Sequence, residues 1–223
     1  MSKDPVIIRA TDTDILILLS YGFAVCKPRH DWLMKIDDRY VSVQKLVEHY
    51  GDEICRILPA FHSITGSDTT SYPYRVGKVR SFKKMMKGQK SNQLSGLGTS
   101  LDALQDTADI KSFMQRCMYP GTEKETFVET RIRMYNKQKV KSSSGILPDE
   151  SSADEHIKRS NFQAQIWYQC LQPNIEYPSI TNSGWERTSE GIRPVWFTCP
   201  QFPPSLSRKK NKSKNQKKGK PCS

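Results

Sequence analysis

The chain has 223 residues, 36% of them hydrophobic and 26% charged, with a formal net charge of +12. That length allows one sizeable core or two small ones, and the composition predicts a partly disordered chain. No apolar run approaches the roughly 20 residues of a membrane-spanning helix, so no membrane association is expected.

In chain order, residues 6–10 read as a buried strand rich in β-branched side chains. The run from Ile15 to Leu19 fits a strand or a buried helix, and Thr11 to Asp14 would cap a short helix there. Residues 31–36 read as a second strand closed by a turn at Asp37 and Asp38. Ser42 caps a helix with Val43, Leu46, Val47 and Tyr50 on one face, which Gly51 ends. Residues 52–64 form a further helix that Pro59 bends or interrupts. A basic helix follows over about 78–86, and residues 88–108, rich in Gly, Ser and Gln, read as a linker. Two helices are expected at about 109–118 and 123–140, the second carrying Arg131, Arg133 and Lys137. A polar break follows at 142–152, then a long helix at about 152–171. Residues 184–187 and 195–198 are expected to pair as a hairpin around Gly191, with Trp167, Trp185 and Trp196 as core anchors. The pattern predicts an α/β fold over residues 1–87, a linker at 88–108, a mainly helical extension with a small hairpin at 109–203, and a disordered tail at 204–223.

Three acids carry the most chemistry. Asp12 and Asp14 stand at the end of the first strand, and Asp68 lies in the polar turn Thr65-Gly66-Ser67-Asp68-Thr69-Thr70. In extended backbone, side chains at i and i+2 share a face, so Asp12 and Asp14 could reach one hard cation, Mg²⁺ or Mn²⁺. The same acids would serve equally as helix caps, and Asp68 as a turn residue. Gly77-Lys78 fails as a phosphate loop, because Tyr72 stands where its first glycine belongs and Val79 where its hydroxyl does. Backbone N–H groups at the start of the following helix could still meet a phosphate, with Lys78, Arg80, Lys83 and Lys84 beside it; a solvated charged face is the plainer alternative. His62 reads as a packed, hydrogen-bonded histidine.

The positive charge is concentrated at the end. Residues 207–223 carry Arg208, Lys209, Lys210, Lys212, Lys214, Lys217, Lys218 and Lys220 with no acid, and removing these eight cations leaves about +4. Such a tail predicts polyanion binding and a nuclear location, otherwise a cytoplasmic one. The six scattered cysteines show no CxxC pair, which excludes a structural zinc site and, with no signal-peptide pattern, predicts a reducing compartment and no secretion.

The segments Ala10-Thr11-Asp12-Thr13-Asp14, Ile64-Thr65-Gly66-Ser67-Asp68 and Val76-Gly77-Lys78-Val79 resemble the flap-endonuclease branch of the PIN-like nucleases. The later stretch, through Trp167, Trp185 and Trp196 to Cys199-Pro200, looks like uncharacterised transposon-associated animal proteins. The resemblance covers residues 6–87 and implies an incomplete PIN-like parallel sheet. It also implies that Asp12, Asp14 and Asp68 ligate one of two metal ions, and that Gly77 and Lys78 belong to a hairpin gripping the DNA backbone. Arg75 stands where that hairpin's first glycine is expected. The family's other acidic ligands lie upstream of the Asp-x-Asp strand, so the resemblance implies impaired phosphodiester hydrolysis. The expected partner is nucleic acid, DNA in preference to RNA. The competing expectation is a non-catalytic binding or interaction protein acting through its basic tail and helices.

Overall fold

A computed structural model describes residues 5–99, 107–137 and 145–199. Strand β1 (Val6–Arg9) runs parallel to β2 (Trp32–Ile36), pairing Ile8 with Met34, and β2 turns back antiparallel to β3 (Arg39–Ser42). The sheet is therefore mixed rather than parallel. The turn accounts for this: Asp37 takes φ 52, as short Asp side chains tolerate, and the chain reverses within two residues. Strand β3 was hidden because its four residues run straight into the Ser42 helix cap. Contrary to expectation β1 is not buried: it pairs on one side only among the described residues, and Val6 and Ile7 are half exposed.

Helix α1 (Thr13–Cys26) is far longer than the short helix expected and ends in a left-handed Lys27. Ser42 caps α2 (Val43–Tyr50) by accepting from the Lys45 N–H at 3.1 Å, and Gly51 at φ 84 ends it. Helix α3 (Asp52–Ile64) runs on through Pro59 without interruption. One side of α3, with Cys55 and Leu58, packs with Phe23, Val43 and Val47 in a core beside the sheet. Its other side, with Phe61 and Ile64, belongs to a larger core that takes in every later helix. Phe82 of α4 (Lys78–Gly88) packs against both cores.

Residues 88–99 are not a linker. Leu94, in a 3₁₀ turn, and Leu97 are fully buried in the larger core, and the Gly98 N–H donates to Asn161 Oδ1 at 2.7 Å. These leucines are the apolar side chains of the stretch, so its polar composition concealed them. Helix α5 (Ala108–Phe113) continues into a π-turn (Met114–Met118), and α6 (Phe127–Lys137) follows. The polar break contributes Ile146 and Leu147 to the core, and its residues 142–144 lie outside those described.

Helix α7 (Glu150–Tyr168) buries His156, Ser160, Asn161, Gln163 and Gln165, an unusual load of polar side chains. They satisfy groups that α3 and its neighbours leave unpaired. His156 Nε2–H donates to Ile64 O at 2.8 Å and the Ser160 hydroxyl to Ser63 O at 3.2 Å, both at the C-terminal end of α3. The closing hairpin pairs β4 (Trp185–Thr188) with β5 (Gly191–Pro194). Its second strand is thus earlier than the expected 195–198, because a two-residue turn sets Thr188 opposite Gly191. Residues 195–199 instead return to α7, where the Thr198 N–H donates to Ser151 Oγ at 2.7 Å. Trp167 is buried as expected, whereas Trp196 is 57% exposed and is no core anchor. No helix among the described residues is long and apolar enough to cross a membrane.

Candidate nucleic-acid interface and its aspartate cluster

The chain leaves β1 at Arg9 and enters α1 at Thr13, so Asp12 and Asp14 straddle a strand-to-helix junction instead of sharing one extended face. Asp12 is the N-cap, extended at φ −78 and ψ 131, and its Oδ1 accepts from the Asp14 N–H at 2.9 Å. Asp14 lies in the first turn, half buried, where the helix dipole favours a carboxylate. Its Oδ1 accepts from Nε2 of His62, 2.5 Å away on α3.

His62 is 5% exposed and stacks obliquely on Trp167, ring centroids 5.4 Å apart. Lys78 Nζ lies against the same ring, 3.0 Å from Nδ1 and 3.1 Å from Nε2. Burial pushes the His62 pKa down and the Lys78 ammonium adds to the fall, against the opposing pull of Asp14 and Asp12. Lys78, the first residue of α4, is itself half buried, and burial lowers its pKa against the attraction of Asp14, Asp68 and Asp12. All three predicted aspartates thus act on one ammonium.

Asp68 stands exposed on a rigid turn. Thr70 Oγ1 accepts from the Ser67 N–H at 2.8 Å and donates to Ser63 O at 3.0 Å, while Thr69 donates to Gln163 of α7 at 2.6 Å. Residues 71–77 then cross the surface to α4. Arg75 takes φ 61, the left-handed conformation that glycine adopts most easily. Lys78 Nζ lies 5.5 Å above the Tyr72 ring and the Arg75 guanidinium 5.2 Å from the Tyr74 ring.

Gly77 is the N-cap of α4 and makes no side-chain cap. Arg80 and Lys83 stand exposed on one face of that helix, which holds no acid. Lys84 does not join them. It turns inward to donate to the carbonyls of Tyr119 at 3.0 Å and Arg116 at 3.3 Å, closing the C-terminal end of the π-turn. Lys209 and Lys210 lie outside the described residues. Two basic residues of α6 are also committed: Arg131 donates to Leu147 O at 2.7 Å, and Arg133 pairs with Glu125, whose carboxyl it holds down at about 2.

Oxygen donors of this kind suit a hard divalent cation, but their arrangement does not fit one. Asp12 is spent on the helix cap, Asp14 on His62, and the ammonium of Lys78 already supplies the positive charge. Among the described residues no three Asp, Glu, His or Cys side chains are grouped to hold a metal ion. His62 is the member of the site that sequence reasoning left aside; its bridging role depends on α3 and α4 meeting, which its own residue pattern does not encode. Comparisons with protein-family models, curated proteins and solved structures found no match for this chain.

Proposed function

We propose that this chain is a nucleic-acid-binding protein built on the remnant of a metal-dependent PIN-like nuclease. The observation that carries this reading is the position of Lys78, bonded to His62 and facing Asp12, Asp14 and Asp68 at the start of a helix whose open face presents Arg80 and Lys83. Lys78 offsets carboxylates that would otherwise repel a phosphate backbone. Arg80 and Lys83, free of acidic neighbours on α4, then supply the sequence-independent attraction that phosphates demand. The lysine-rich tail, with Lys209 and Lys210, adds a second basic element and a nuclear address. Mg²⁺ or Mn²⁺ chemistry is not part of the reading, since Asp12 caps α1, Asp14 accepts from His62 and the charge of all three carboxylates acts on the Lys78 ammonium.

A gel-shift experiment in Mn²⁺ with wild type, Asp14→Ala and Asp68→Ala tests it. DNA should be retarded by all three and remain uncut beyond background. Cleavage by wild type that Asp14→Ala abolishes would overturn the remnant in favour of a working nuclease, and absence of any shift would overturn binding itself. Deleting residues 207–223 should weaken the shift without removing it.

A further inference from the structure

A second feature lies where the loop at 71–73 meets the stretch after the closing hairpin. Between the loop at 71–73 and the end of the chain's described part is a cleft of about 240 Å³, lined by Ser71, Pro73, His156, Arg159, Trp196 and Phe197 among others. Its mouth is aromatic: Trp196 is 57% exposed and Phe197 47%. Its lining is mostly apolar, with Met114, Tyr119, Ile146 and Pro148 set around one polar tie. Arg159, 2% exposed, donates to the carbonyls of Gly184 and Val195 and to Ser71 Oγ at 3.2 Å, tying together α7, the hairpin and the loop. The same guanidinium lies 5.2 Å from the Trp196 ring centroid, fixing the indole while over half of its surface stays open.

We infer that this cleft receives an unstacked nucleobase of a single nucleic-acid strand. The inference rests on the nucleic-acid-binding reading above and adds to it a site and a preference for single strands. The volume admits one planar heterocycle, and the exposed indole offers a stacking face. Tyr72 and Tyr74, 62% and 52% exposed, add two more open rings on the loop whose Ser71 and Pro73 form the cleft's other wall. Each has a cation against its ring, Lys78 and Arg75 respectively. Alternating aromatic faces and cations match the alternation of bases and phosphates along a single strand, and duplex DNA cannot offer its stacked bases to them. The donors of Arg159 are largely engaged, so recognition comes from stacking and tolerates any base.

The test is fluorescence anisotropy with the full chain, a labelled oligothymidylate of about twelve nucleotides and a duplex of the same length. Trp196→Ala and Tyr74→Ala should each weaken single-strand binding roughly ten-fold while leaving duplex binding unchanged, and Trp196→Phe should retain most of the affinity. Circular dichroism checks that each variant is folded, and Tyr74→Ala touches only an exposed ring. Unchanged single-strand affinity in both alanine variants overturns the cleft while the wider reading stands, provided Arg80→Glu with Lys83→Glu still weakens binding. A change in oligomeric state with no change in single-strand affinity would assign the cleft to protein association and also overturn it. Failure of wild type to bind either oligonucleotide overturns both readings.

Discussion

Acidification should unfold this protein early, and His156 sets the magnitude. The imidazole is 6% exposed, and burial, opposed by the Ile64 carbonyl and aided by Arg159, pushes its pKa down to about 4. In the unfolded chain the same group titrates near 6.5. Between those values the unfolded state binds a proton that the folded state refuses, so stability falls as pH falls. At about 1.4 kcal/mol per pH unit the full window corresponds to about 3 kcal/mol, a large share of a typical domain's 5–15 kcal/mol. His62, also lowered by burial, acts in the same direction. Carboxylates such as Glu125, held at about 2, lose their contribution only at lower pH. Urea denaturation at intervals from pH 7.5 to 4 measures the effect, with His156→Gln as comparison, since the amide can still donate to Ile64 O. Wild type should lose stability steeply from pH 6.5 downward, and the variant should lose about 3 kcal/mol less. Equal slopes for the two proteins would refute the assignment.

Leu97→Ala should lower unfolding free energy by about 2–5 kcal/mol in urea melts, because its fully buried side chain fills the core that α3 and α7 share. A surface linker would register almost no change. Gly98→Ala should cost a similar amount: at φ +81 a methyl group there would lie 2.5 Å from the Ala164 Cβ, and thermal unfolding reads the loss. Lys78→Met removes the counter-charge of three aspartates, so the variant should bind Mn²⁺ more tightly than wild type by isothermal titration calorimetry. Tighter or equal binding by wild type would contradict the role given to Lys78.

Local rules read the ends of elements well and the interior of α7 poorly. Ser42 and Gly51 bracket α2 because a hydroxyl cap and a positive φ are properties of single residues. The residues of α7 obscure the apolar period because His156 and Ser160 are needed inside, where they donate to the last carbonyls of α3. Over residues 88–99 the expected linker failed for a related reason, as two leucines among polar residues carry no periodic signal yet fill the core. At the site, the Asp-x-Asp pair and the Gly-Ser-Asp turn marked the aspartates, but as ligands of a cation and not as neighbours of Lys78. The arrangement around Asp14 was not legible: His62 and Lys78 meet beside it from two helices far along the chain. Lys84 shows the limit of reading charge as surface, since its ammonium ends on the carbonyls of a π-turn.

The salt dependence of DNA affinity tests the central claim most directly. For wild type, log affinity should fall linearly with log salt, at about 0.7–0.9 per phosphate engaged. Arg80→Glu with Lys83→Glu should weaken low-salt binding and flatten that slope by roughly 1.5, two contacts' worth. The same affinity and slope in both proteins would contradict the claim that the open face of α4 holds the phosphate backbone.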